Sequence, residues 1–150
     1  MRLVLDTNVW LDWLIFDDPA IAPLRTARNN GAIEIVIDDP CRTELVRVLA
    51  YPKFELDNEV QKNLLAQADQ NCICLDALSY PLPGSLPACK DPDDVKFQSL
   101  AYASAADWLI SKDNALLSSR RKRNSVPVSY QTATPKQWAL LQIDNAISPG

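Results

Sequence analysis

Asp6, Glu44, Asp94 and Asp113 are the residues whose type and placement point to chemistry. The chain contains no histidine, so neither a Ser-His-Asp nor a Cys-His system can be assembled, and carboxylates acting with a metal are the most available route to hydrolysis. The four cysteines, Cys41, Cys72, Cys74 and Cys89, show no Cys-x-x-Cys spacing, and with no histidine to complete a mixed set, structural zinc is not expected. Cys72-Ile73-Cys74 falls in an apolar, strand-like run and reads as reduced residues packed in or beside a sheet. Hard divalent cations prefer oxygen ligands, so carboxylates without Cys or His describe a magnesium or manganese site better than a zinc one.

The elements that must position these acids follow from hydrophobic patterning. Short apolar runs at Leu3 to Leu5, Ile33 to Ile37, Cys72 to Leu75, Trp108 to Ile110 and Val126 to Tyr130 are strand candidates. Between them Pro40 to Ala50, Asn58 to Ala68, Pro92 to Ala105 and Pro135 to Leu141 carry apolar residues three and four apart, as amphipathic helices do. The order βαβαα, then βαβ and a further strand and helix, predicts a parallel sheet wrapped by helices. Asp18-Pro19, Asp39-Pro40 and Asp91-Pro92 mark helix starts, with Asp as cap and Pro in the first turn. The Pro-rich stretch Tyr80 to Lys90 reads as a loop.

Asp6 then lies at the carboxyl end of the first strand, where open α/β sheets place ligands, and Asp113 stands in the same relation to the strand ending at Ile110. Glu44 and Asp94 fall in the first turns of helices whose amino ends face the same edge.

Bulk properties set the frame. A chain of 150 residues, 47% apolar, supports one ordinary core, and residues 1–150 read as a single domain. No apolar run reaches membrane-spanning length and no signal-peptide pattern is seen, so a cytoplasmic protein without membrane contact is expected. The net charge of −4 argues against a broad polyanion-binding surface unless the acids are concentrated at a metal, which reverses the local sign.

Leu3-Val4-Leu5-Asp6-Thr7-Asn8-Val9 resembles the opening motif of PIN domains. Glu44 within Thr43 to Leu49, Asp94 within Asp91 to Phe97, and Asp113 within Ser111 to Leu117 resemble the family's second, third and fourth acids, and the likeness runs from about residue 2 to residue 141. Tyr51-Pro52-Lys53-Phe54 and the segment 89–97 are most like the bacterial, VapC-like toxin components of toxin–antitoxin pairs. Position 115, where many members carry a further acid, is alanine, which bears on the number of metals.

The resemblance implies a three-layer α/β/α PIN-like fold with a central parallel sheet, and a metal-dependent endoribonuclease leaving 5′-phosphate and 3′-hydroxyl ends. It implies Asp6 and Asp113 as direct or water-mediated ligands, Asp94 sharing the metal, and Glu44 completing the shell or orienting the attacking water. Thr7 and Asn8 are expected to support them, the hydroxyl holding a carboxylate or phosphate and the amide fixing Asp6. RNA is the expected substrate, a small antitoxin the expected protein partner, and a homodimer the expected assembly.

Each assignment has a structural alternative. Asp91, Asp93 and Asp94 can serve as a helix cap, Asp39 likewise, and Glu44 can be a surface helix residue. Arg120, Arg121, Lys122 and Arg123 are either a substrate-phosphate contact or a solvated loop facing an acidic partner. Trp10 and Trp13 read as core or dimer-contact residues rather than stacking platforms, and Trp108 as a buried strand residue. A PIN-like binding module without efficient catalysis is a second reading. A third invokes the receiver-like pair Asp38-Asp39 or a phosphatase-like start at Asp6, and both lack their remaining parts, Asn8 standing where the phosphatase needs an acid.

Overall fold

A computed structural model describes residues 1–82, 84–89, 91–118 and 126–147, with side chains to 144. Strands β1 (Arg2–Leu5), β2 (Glu34–Ile37), β3 (Ile73–Cys74), β4 (Trp108–Ile110) and β5 (Gln131–Ala133) form one sheet in the order β3-β2-β1-β4-β5. Every neighbouring pair is parallel, so each connection crosses over a face of the sheet and helices cover both sides.

The strands alternate between two cores. Leu3, Leu5 and Ile35 join Trp10, Leu24, Leu45 and Trp138 on one face, while Val4, Val36 and Leu109 meet Phe97, Leu100 and Leu116 on the other. Residues two apart on a strand share a face, and here both faces are apolar, which accounts for the continuous hydrophobic runs and for the three-layer α/β/α arrangement. The helices are α1 (Thr7–Leu11), α2 (Ala22–Asn29), α3 (Asp39–Leu49), α4 (Asn58–Asn71), α5 (Val95–Ala103), α6 (Asn114–Leu117) and α7 (Pro135–Ile147). The first continues as a π-helical turn over Asp12–Phe16, and a 3₁₀ turn over Pro92–Asp94 leads into α5.

Several local expectations are corrected. The last strand occupies Gln131–Ala133 rather than 126–130. Val126 instead donates its N–H to Ser85 in the Pro-rich loop, Pro127 has no N–H to give, and pairing with β4 starts where the Gln131 N–H reaches the Asp107 carbonyl. Two helices, not one, separate β1 from β2, and a short helix intervenes between β4 and β5. The cap of α3 is Asp38, whose carboxylate accepts the Cys41 N–H at 3.1 Å, with Asp39 and Pro40 inside the first turn. Trp108 is half-buried, whereas Trp10 and Trp13 are core residues with ring centroids 5.7 Å apart. Cys72 is half-buried and Cys74 exposed on the edge strand, and all four cysteines are free thiols.

Candidate functional site

The carboxyl ends of the three central strands form a level row. Val4 pairs with Val36 and Leu5 with Ile110; extending these registers places Asp38, Asp6 and Ser111 side by side. Asp6 is anchored there by its N–H, which donates to the Ile110 carbonyl at 2.9 Å. Its backbone then turns into α1, leaving the side chain 4% exposed at the sheet edge.

Asp113 reaches the same place from β4. Ser111 and Lys112 carry the chain off the strand, and Asp113 caps α6 by accepting the Ala115 N–H at 2.8 Å. Asp94 arrives from the 3₁₀ turn before α5, a turn started by Asp91, which accepts the Asp93 N–H at 2.9 Å. Capping therefore belongs to Asp91, and Asp94 is left to face the interior, 7% exposed. Asp6, Asp94 and Asp113 each offer a carboxylate oxygen within 4.8 Å of the others.

Glu44 stands beside this trio, its side chain 11% exposed and fully engaged. Its Oε2 accepts from the Thr7 hydroxyl at 2.5 Å, and its Oε1 accepts from Lys96 Nζ at 2.9 Å, with Arg47 3.5 Å away. Thr7 thus touches Glu44. The amide of Asn8 is exposed, and the group that touches Asp6 is Ser111, whose Oγ donates to Oδ2 at 2.7 Å.

Ser111 is the residue that sequence reasoning missed. Fully buried, it also accepts the Asp113 N–H at 2.9 Å, and only its place between strand and acid signalled it. Lys112, in the same turn, forms an ion pair with the buried Asp12 at 2.5 Å. The basic run Arg120 to Arg123 lies outside the described residues.

Electrostatics mark Asp6 and Asp94 as costly to ionise. Burial pushes the Asp6 carboxyl up to about 6, against the lowering effect of its bonds to Ser111 and the Thr7 N–H, with Asp113 and Glu44 adding repulsion. Asp94 is pushed up to about 8, first by burial and then by Asp113, which accepts a hydrogen bond from its protonated form and repels its charged one. Oδ2 of Asp94 is buried with no hydrogen-bond partner, a costly state for an acceptor. A hard cation held by oxygen ligands relieves both the repulsion and the orphaned oxygen, so the donor set fits a divalent metal of the magnesium or manganese kind.

A three-layer α/β protein with buried acids gathered at the ends of its central parallel strands is the class that fold and site define. A family model described as the PIN domain matches residues 2–115, and the chain belongs to that family. Among solved structures it is similar to a chain of VapBC2 from Rickettsia felis bound to a DNA fragment from their promoter, at 14% identity and a TM-score of 0.58, over 88% of this chain and 98% of that one. At that identity the likeness is one of fold. No match to this chain was found among the curated proteins. Among the described residues no helix is long and apolar enough to cross a membrane.

Proposed function

We propose that this chain is a metal-dependent endoribonuclease and the toxin of a toxin–antitoxin pair. The observation that carries the reading is the convergence of Asp6, Asp94 and Asp113 within 4.8 Å, with an unpartnered buried oxygen on Asp94. Membership of the PIN domain family supports it.

In this reading the three aspartates hold magnesium or manganese. When bound, the cation neutralises the scissile phosphate, lowers the pKa of a water and steadies the leaving oxygen. The chain's own residues prepare the site. Ser111 fixes Asp6 and the turn bearing Asp113, and Asp94 would hold the cation in its deprotonated form. Glu44, oriented by Thr7 and restrained by Lys96, is placed to accept a proton from the attacking water or to complete the shell. Asn8 is exposed beside Asp6 and is available to substrate. Hydrolysis leaves a 5′-phosphate and a 3′-hydroxyl, and no covalent enzyme intermediate is required.

A small antitoxin covering the acidic groove is the proposed protein partner, consistent with the VapBC2 complex that shares the fold. The assembly is proposed to be a homodimer acting in the cytoplasm, with Arg120, Arg121, Lys122 and Arg123 contacting substrate phosphates. A second reading, a PIN-like module that binds RNA or protein without turnover, is favoured by two observations: the Glu44 charge is already matched by Lys96, and position 115 is alanine.

The deciding experiment is cleavage of a panel of single-stranded and structured RNAs by wild type and Asp6→Asn, each with manganese, magnesium or EDTA. The nuclease reading expects cutting that requires metal and disappears in the variant. No cutting by folded, metal-saturated wild type selects the binding module.

A further inference from the structure

Tyr80 lies in the Pro-rich loop after β3, a segment with no part in the acidic centre described above. Its hydroxyl donates to Oδ2 of Asp38 at 2.7 Å, while 48% of the residue remains exposed. Asp38 is itself immobile, 1% exposed and committed through its other oxygen to the amino end of α3. An aromatic residue tied at its tip yet 48% open to solvent has given up rotamer freedom while keeping surface free, an arrangement suited to receiving a flat partner.

Its position identifies that partner. Asp38 follows β2 and lies directly beside Asp6 in the strand-end row, one strand spacing away, about 5 Å. The tethered phenol is thereby held at the end of β2, the strand next to the one that carries Asp6. Leu82, two residues on, is 79% exposed and extends the apolar surface. Contact through a base face, which carries no charge, suits a chain whose net charge is −4. Stacking on an aromatic ring tolerates any base and needs an unpaired strand.

We propose that Tyr80 is a stacking platform for a nucleobase adjacent to the scissile phosphate. The proposal rests on the nuclease reading and deepens it. The hydroxyl tether to Asp38 sets the ring's position, and the ring supplies the contact.

The test measures binding of a labelled single-stranded RNA by fluorescence anisotropy, with calcium replacing magnesium and manganese. The panel comprises wild type, Tyr80→Phe, Tyr80→Leu and Tyr80→Ala, and the RNA carries an abasic site at each position in turn. Tyr80→Ala and Tyr80→Leu are expected to bind about tenfold more weakly, with Tyr80→Phe within about threefold of wild type because the ring is kept. Wild type should lose a similar factor at one abasic position, to which Tyr80→Ala is indifferent. Manganese affinity, read by isothermal titration in the absence of RNA, should be the same in all variants, because the ring is proposed to touch the base and not the metal.

If wild type cuts RNA but neither the Tyr80 variants nor any abasic site alters affinity, this inference is overturned and the nuclease reading stands. If the stacking pattern appears but RNA is not hydrolysed in manganese, the nuclease reading alone fails. Wild type that binds no RNA overturns both.

Discussion

Ser111 Oγ donates to Oδ2 of Asp6 at 2.7 Å and accepts the N–H of Asp113 at 2.9 Å, so one buried hydroxyl joins two acids carried by different strands. With the hydroxyl proton committed to Asp6, its lone pair is left for Asp113, and both partners are fixed by strands whose register is set by the sheet.

Ser111→Ala removes that junction and leaves the partly buried Asp113 N–H without its acceptor. The expected cost is about 1–2 kcal/mol in urea unfolding, together with a roughly tenfold weaker manganese affinity, in line with losses at groups that orient metal ligands. Isothermal titration reads the second quantity. Unchanged affinity would mean that the backbone alone aims Asp6.

The raised carboxyls make metal-free stability depend on pH. For Asp6, at about 6 in the fold, and Asp94, at about 8, the folded state holds protons that the unfolded chain, near 3.8, has released. Stability must therefore fall as pH rises from about 4 to 8. Thermal unfolding in EDTA should show a melting temperature lower by several degrees at pH 8.5 than at pH 5, and saturating manganese should reduce or reverse the trend at the alkaline end. A metal-free melting temperature that climbs over this interval would refute the burial of Asp6 and Asp94.

Asp94→Asn separates charge from shape. At pH 7 the metal-free Asp94 is largely protonated, and an amide can replace its hydrogen bond to Asp113, so the metal-free melting temperature should stay within about 2 °C of wild type. At pH 9, where wild type bears the full repulsion, the variant should be the more stable. The manganese-induced rise should vanish, and RNA cleavage should fall at least about a hundredfold. Loss of stability at both pH values would instead make Asp94 a structural residue.

Much of this site was legible from spacing. An acid following a buried apolar run has little choice but the strand end, which located Asp6 and Asp113, and Asp-Pro pairs located the helix starts behind Glu44 and Asp94. What stayed hidden depends on contacts across the sheet. Ser111 meets Asp6 across 105 residues, and Lys96 meets Glu44 across 52, so no local pattern marks either. Helix α1 escaped for another reason. Val9, Trp10 and Leu11 in α1 and Trp13 and Leu14 in the turn that continues it are all buried, and a segment buried at nearly every position lacks the apolar and polar alternation by which helices are read. At the other end, Val126 to Tyr130 had strand composition, but Pro127 and the contact with Ser85 moved the pairing to Gln131.

Glu44 and Lys96 provide the last test, because their ion pair stands where the three aspartates already repel one another. The Lys96 ammonium is 2.9 Å from Oε1 of Glu44, with the side chains 26% and 11% exposed, so the pair is partly shielded from water and more tightly coupled than a surface bridge. Lys96→Met leaves a carboxylate at the margin of an acidic centre with Thr7 and the more distant Arg47 as partners, and should cost about 2 kcal/mol in metal-free urea unfolding. Glu44→Gln removes the charge but keeps an acceptor for Thr7, and should cost less. Combined with Lys96→Met it should recover part of the loss, since a neutral amide needs no cation. A double-mutant cycle with a coupling of about 1 kcal/mol or more would establish that Lys96 matches the Glu44 charge in the fold, and strict additivity would show that the two residues act independently.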